Sequence, residues 1–326
     1  MMKDSSWSHH HVALNVNLSA VNTDYANALR SSTAQFNNHF ESCEHATYET
    51  RVIVKDLPLI GRVRILMDSH GLKALTFIII YWIYGFFSTY FIILSPHWSE
   101  GRIPDVAAYA YIVISFLCLI SLFRASTVNP GAVPLIDKLS TDIDLSKLHD
   151  CQSCGMKKPA RTHHCRRCQQ CVLRMDHHCP WINNCVGEGN HYLFLLLLLY
   201  AFLMSALSFT LCVFQFWVFP KCSACIETWY LKPTTSIWFL YVLVLISVAM
   251  SIFMGLQFLS QQFNLIMDRT TLENMAVRSG RAILRTNFRS WFHGVSDICG
   301  TRNAVVWLLP CRRRPAKSIY EYIHAV

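Results

Sequence analysis

Charge is what this sequence has least of. Asp, Glu, Lys and Arg make up 15% of its 326 residues, against 53% hydrophobic, and the mean hydropathy is positive at +0.29. That balance excludes an ordinary soluble domain of this length. The deficit is concentrated, because residues 74–94, 106–123, 192–219 and 237–259 hold no charged side chain at all. Each run approaches or exceeds the ~20 residues a helix needs to cross the hydrocarbon core. Four such runs predict four membrane spans. The spans also lack essentially all ionisable ligands, which argues against a pathway for metal ions through them. Missing too is a short apolar segment followed by small residues near the N-terminus, so no cleaved signal is expected and insertion begins with the first span.

The scarce charges are unevenly placed. Arg51, Lys55, Arg62, Arg64 and Lys73 precede the first span, whereas the loop after it offers Arg102 against Glu100 and Asp105. The basic excess predicts a cytosolic N-terminus. Nine Lys and Arg between spans two and three, and ten after span four, place both of those regions on the same side. The net charge of +9 suits a surface near anionic lipid or an anionic cofactor. The predicted organisation is a disordered cytosolic arm over residues 1–60, spans one and two within 74–123, a cytosolic module over 124–190, spans three and four within 191–259, and a cytosolic C-terminal region over 260–326. Residues 51–67 mix basic and aliphatic side chains and are expected at the membrane interface, although Pro58 breaks a helical period. His9, His10 and His11 read as incidental, and Cys222 and Cys225 receive no function.

Cysteine, by contrast, is abundant and clustered. Seven of the fourteen fall between Cys151 and Cys185, interleaved with His164, His177 and His178. Two Cys-x2-Cys pairs, Cys151/Cys154 and Cys165/Cys168, with Cys171, Cys185, His164 and His178 nearby, carry zinc-knuckle spacing. The intervening sequence is too polar for a core of its own, and bound metal replaces that core by supplying folding free energy. Two Cys3His sites consume six cysteines and leave one. Spacing alone does not decide which, but Cys179, in Asp176-His177-His178-Cys179, is the best candidate. In an extended strand His177 and Cys179 share a face and His178 points away. A thiol with pKa near 8.5 needs such a neighbouring base to become a nucleophile, and Asp176 is placed to orient the base. Strict alternation puts Asp176 on the metal side, so a turn or bulge is required.

These residues resemble the DHHC family of protein S-acyltransferases. The likeness runs over residues 151–194 through Pro159, Arg161, His164, the tetrad at 176–179, Cys185, Asn190 and Phe194, and returns at Thr270-Thr271-Leu272-Glu273, the family's TTxE motif. It implies a short four-span member without ankyrin repeats: an α-helical integral membrane protein whose four transmembrane helices flank a cytosolic zinc-binding cysteine-rich module. It further implies one zinc on Cys151, Cys154, His164 and Cys171 and another on Cys165, Cys168, His178 and Cys185. Cys179 is then the acylated nucleophile, His177 its base and Asp176 the orienter, with Thr271 bonded to Asp176. Palmitoyl-CoA is the implied donor, and the implied partners are membrane-associated proteins with cytosolic cysteines and the bilayer, not nucleic acid. The implied location is a secretory-pathway membrane, the Golgi favoured over endoplasmic reticulum or plasma membrane. Trp181, Phe194 and Met204 are expected at the acyl site, Met204 near its deep end. Arg166, Arg167 and Arg174 are candidates for coenzyme A phosphates. Two departures stand out: Asn129 replaces the Asp of an Asp-Pro-Gly turn, and Leu308 stands where the C-terminal motif has Gly. A membrane-tethered zinc scaffold without catalysis is the alternative function.

Overall fold

The structure, a computed structural model, describes residues 52–58, 61–133, 148–218, 233–280 and 290–311. His9 to His11, Cys222 and Cys225 lie outside them. Among the described residues, four helices are long and apolar enough to cross a membrane: α1 (Ser69–Ser99), α2 (Asp105–Thr127), α3 (His191–Val218) and α4, which is Pro233–Ile266 in full. α3 is the central helix and packs against both α2 and α4. Side chains such as Phe77, Ile80, Leu245 and Leu256 face outward, as lipid-facing positions require. Some polar groups within the bundle are paired across helices: Trp82 Nε1 donates to the Ser115 carbonyl at 3.0 Å, and Thr89 Oγ1 to Ser208 Oγ at 3.0 Å.

The helices extend beyond the apolar runs, and at two boundaries the reason is visible. α1 starts at Ser69 because Asp68 caps it, its carboxylate accepting from the Gly71 N–H at 3.2 Å. α4 continues past residue 259 through Gln261 and Asn264, which are buried near the cysteine-rich module and remain helical. A larger difference lies before α1. The expected disordered arm ends in order: β1 (Val52–Leu57) and β2 (Gly61–Leu66) form an antiparallel hairpin. Pro58 breaks a helical period but suits the loop between strands, and the β-branched residues at 52–54 favour extension.

The described residues between α2 and α3 form three more hairpins: β3 (His149–Cys151) with β4 (Met156–Lys158), β5 (His163–Cys165) with β6 (Gln170–Val172), and β7 (His177–Cys179) with β8 (Asn184–Val186). They are fastened to the end of α2 by asparagine amides. Asn184 Nδ2 donates to the carbonyls of Ala125, Ser126 and Val128 at 3.1, 3.3 and 3.0 Å, and Asn190 Nδ2 to that of Ala125 at 3.2 Å. These satisfy helix-end carbonyls that have no partner within α2. The Asn129-Pro130-Gly131 turn keeps its form because the Asn129 side-chain carbonyl accepts from the N–H groups of Gly131 and Ala132 at 3.0 and 2.8 Å. A carboxylate is not needed for that. Gly189 approaches so closely that an added Cβ would lie 2.2 Å from the Asn129 carbonyl oxygen.

After α4 come α5 (Thr271–Arg278), α6 (Trp291–Cys299) and α7 (Ala304–Trp307). The tail is anchored despite Leu308: Tyr200 OH donates to the Leu308 carbonyl, Arg124 to that of Pro310, and Trp307 Nε1 to that of Thr301. Asn303 caps α7 through its side chain.

Candidate active site and metal centres

The three module hairpins begin at His149, His163 and His177, fourteen residues apart, and their second strands at Met156, Gln170 and Asn184 keep the same interval. The turn residues repeat with them, since Gly155, Gln169 and Asn183 all have positive φ, at 65°, 52° and 48°. Sequence reading recognises duplicated ligand spacing; the structure extends it to a threefold repeat, HDCQSCGMKKPART, HHCRRCQQCVLRMD and HHCPWINNCVGEGN.

Each ligand set straddles two successive repeats. Cys151 and Cys154 of the first meet His164 and Cys171 of the second, and Cys165 and Cys168 of the second meet His178 and Cys185 of the third. The His and the later Cys face each other across a hairpin, His164 opposite Cys171 and His178 opposite Cys185. Within each set all four ligand atoms lie within 4.8 Å of one another. Cys154 Sγ is 3.6 Å from Cys171 Sγ, Cys168 Sγ is 3.4 Å from Cys185 Sγ, and His178 Nδ1 is 3.4 Å from Cys168 Sγ. Ligands bound at about 2.0–2.3 Å in a tetrahedron have this spacing, and a Cys3His donor set is a zinc set. Both clusters therefore fit a zinc ion. Arg64 of β2 sits beside Cys168 and Cys185, donating to Gln170 Oε1 at 2.8 Å. Its charge opposes the net −1 of a divalent ion held by three thiolates.

Cys179 occupies in the third repeat the place of Cys151 and Cys165, yet belongs to neither set. The second ligand position of that repeat is Ile182, and no fourth hairpin follows because the chain enters α3 at His191. The third repeat packs on apolar residues instead: Cys179, Ile182, Val186, Tyr192 and Leu193 share one buried cluster with the spans.

β7 resolves the alternation as expected, with His178 among the metal ligands and His177 on the face of Cys179. Asp176 precedes the strand, after a turn in which Arg174 has φ 43°. That turn lets the wholly buried carboxylate reach His177, with Oδ2 2.7 Å from Nδ1. Burial pushes the Asp176 carboxyl up, but the His177 bond, the neighbouring imidazoles and the Thr271 N–H outweigh it and hold it well below the usual carboxylate range. Burial likewise lowers His177, yet its bonds to Asp176 and Cys179 raise it to about 9.

Residues 145–278 match the sequence model of a family described as DHHC palmitoyltransferase. The chain is 36% identical over 269 residues to Palmitoyltransferase ZDHHC21 of Bos taurus, covering 81% of this chain and 99% of that protein. It is 35% identical over 269 residues to the Homo sapiens protein of that name, with the same coverage, and 35% identical over 267 residues to that of Danio rerio, covering 78% and 94%. The chain belongs to the DHHC palmitoyltransferase family.

In this palmitoyltransferase the TTxE segment closes over the carboxylate. Thr271 gives Asp176 two donors, its N–H to Oδ1 at 2.7 Å and its hydroxyl to Oδ2 at 2.9 Å. Thr270 and Glu273 form a reciprocal cap at the start of α5. Glu273 also takes a forked bond from Arg161, Nε to Oε1 at 2.7 Å and Nη2 to Oε2 at 2.9 Å, which fastens α5 to the module. Arg174 corrects an expectation. Its buried guanidinium lies 3.1 Å from Asp268, 3.0 Å from Asp297 and 3.7 Å from Glu188, and so is not presented to coenzyme A phosphates. Arg166 and Arg167 are exposed.

The acyl-site candidates take different places. Phe194 is buried with its ring edge-to-face against His177, centroids 5.2 Å apart. Met204 is buried deep in α3, and its Cε would lie 3.7 Å from a Cβ added at Gly85 of α1. Trp181 is half exposed on the turn after Cys179. Sequence reading missed Gln261 and His191, two polar residues at the ends of apolar runs that the fold buries beside Asp176.

Proposed function

We propose that this palmitoyltransferase carries a long-chain acyl group, palmitoyl foremost, from acyl-CoA to cysteine thiols of membrane-associated proteins at the cytosolic face, through a thioester on Cys179. The observation that carries this reading is that Cys179 alone of the seven module cysteines lies outside both ligand sets, on the strand face of His177, whose Nδ1 is held by Asp176. Asp176 accepts a hydrogen bond from the Nδ1–H of His177 and leaves Nε2 to act on the thiol. His177 takes the proton of Cys179, the thiolate attacks the acyl carbonyl, and the bond to coenzyme A sulfur breaks as His177 returns the proton to the leaving thiolate. A substrate cysteine, deprotonated in turn by His177, attacks the thioester, takes the acyl group and regenerates Cys179. Zinc, when bound by the two Cys3His sets, holds the hairpins folded and so fixes β7.

Placement supports the substrate class. Cys179 belongs to the same buried apolar cluster as Leu193, Phe194 and Leu195 at the start of α3, where a span meets the module. An acyl chain gains ~0.8 kcal/mol per CH2 in apolar surroundings while its coenzyme A head stays in water. A thiol at that level reaches the bond between them. The basic residues flanking the spans support cytosolic termini and a cytosolic module, in a secretory-pathway membrane for which the Golgi is our assignment. The deciding experiment incubates purified protein with labelled palmitoyl-CoA and cleaves with neutral hydroxylamine. Wild type should carry label as a thioester, and Cys179→Ser should carry two zincs and no label. Undiminished label on Cys179→Ser would sink the assignment.

A further inference from the structure

The carboxylate of Asp176 is also held from the membrane side. Gln261, on α4, is buried to 4% exposure, a costly place for an amide unless each end finds a partner. Its Nε2 lies 3.1 Å from Asp176 Oδ2 and 3.4 Å from Thr271 Oγ1, while its Oε1 lies 3.0 Å from Nε2 of His191, the first residue of α3. The opposite amide orientation would set a carbonyl oxygen against a carboxylate. The nitrogen therefore faces Asp176, and His191, also buried, must carry its proton on Nε2 to meet the oxygen. Asp176 then receives four donors: the Thr271 N–H on Oδ1, and His177 Nδ1, the Thr271 hydroxyl and the Gln261 amide on Oδ2.

We propose that Gln261 and His191 are a positioning pair for acyl transfer: the Gln261 amide, oriented by His191, fixes the Asp176 oxygen that holds His177, and so ties the start of span three and the end of span four to the orientation of the catalytic imidazole. The proposal rests on the reading of Asp176, His177 and Cys179 as the catalytic set. Gln261 touches neither the reacting thiol nor the donor, so it acts through Asp176. Without its amide, Oδ2 loses one donor and the His191 N–H loses its acceptor where water is scarce. The carboxylate can then rotate, and the imidazole with it. Binding of the donor itself does not depend on these bonds.

The test measures loading of the full chain with labelled palmitoyl-CoA in lipid nanodiscs, with zinc content determined on the same samples. Gln261→Met should lower the maximal loading rate about tenfold or more, the scale of one hydrogen bond to a charged group. The half-saturating donor concentration and two zincs per chain should be unchanged. Gln261→Glu, nearly isosteric, should fall further because it sets a second carboxylate against Asp176. Gln262→Glu is the control: Gln262 accepts from Trp291 Nε1 at 2.7 Å, which a carboxylate also does, so it should load like wild type. His191→Leu should slow loading less, and adding it to Gln261→Met should slow loading no further, since both changes remove one device. Loading within twofold of wild type in Gln261→Met, multiplicative effects in the double variant, or loss of zinc in both Gln261 variants would each overturn the proposal, the last by making the role structural. Cys179→Ser in parallel separates the failures: label retained there defeats the catalytic set, whereas its loss beside normal Gln261 variants defeats the pair alone.

Discussion

Replacing Arg161 by Met should release α5 from the module without disturbing the zinc sites. Arg161 holds Glu273 by two parallel bonds, and Asp268 through Nη1 to Oδ1 at 3.2 Å and Nη2 to the backbone carbonyl at 2.9 Å. The side chains of Arg161, Asp268 and Glu273 are 21%, 8% and 26% exposed. Removing one member of a fully buried pair costs about 3–5 kcal/mol, and exposed pairs contribute about 0–1. This site lies between those limits, so we expect about 2–3 kcal/mol. At 1.4 kcal/mol per tenfold, that raises local opening of α5 roughly 30- to 150-fold. Hydrogen exchange followed by mass spectrometry reads this directly: amides of residues 271–278 should exchange faster by that factor, while those of β5 to β8 keep their protection. Acyl loading should slow as Thr271 leaves Asp176. Adding Glu273→Gln should recover part of the protection, because the charge left without its partner is then gone. Unchanged exchange of residues 271–278, or a double variant that exchanges faster than Arg161→Met, would refute the reasoning.

His177 gains a raised pKa on folding, so its contribution to stability is fully present below its unfolded value near 6.5 and is lost as pH rises through about 9. Thermal unfolding of detergent-solubilised protein should therefore show wild type losing its advantage over His177→Gln across that window; a difference independent of pH would contradict the assignment. Arg64→Met, which removes the cation beside Cys168 and Cys185, should speed chelator removal of one of the two zincs several-fold and leave the other unchanged, as read by a colorimetric zinc indicator. Met204→Trp, facing Gly85, should overfill the deep end of the acyl site and shift preference from chains of about sixteen carbons toward shorter ones. Competition among labelled acyl-CoAs of graded length measures this, and an unchanged profile in an active enzyme removes Met204 from the cavity.

The features visible in the sequence are those set by local chemistry. Four uncharged runs needed no tertiary knowledge to be read as spans, and the pairing of His177 with Cys179, away from His178, follows from strand alternation alone. What stayed hidden depends on contacts distant in the chain. The hairpin over Val52–Leu57 and Gly61–Leu66 was obscured because Pro58 spoils a helical period without announcing a strand, and its order comes from packing: Val52 and Leu66 lie with Cys165, Cys168 and Cys185 in one cluster. Arg174 looked like any exposed cation until the fold brought Asp268 and Asp297, about a hundred residues later, against it. The route of Asp176 to His177 required a left-handed residue at Arg174, which the residue type does not reveal.

The fourteen-residue repeat explains why one cysteine of this module is available for chemistry. A metal site here is built from the first two ligands of one repeat and the His and Cys of the next, so three repeats make two sites and leave the opening position of the last repeat without a successor. That position is Cys179. Where a fourth repeat would supply its ligands the chain has become α3, and Tyr192 and Leu193 share one buried cluster with Cys179 and Ile182. The same termination that frees the thiol therefore also sets it against the start of a membrane span, while the neighbouring His178, one residue away and facing the opposite side, stays among the metal ligands and holds the strand. A thiol outside both ligand sets, a rigid support and the apolar surroundings that the proposed acyl transfer needs thus follow from a single register: a helix beginning at His191 rather than a further hairpin.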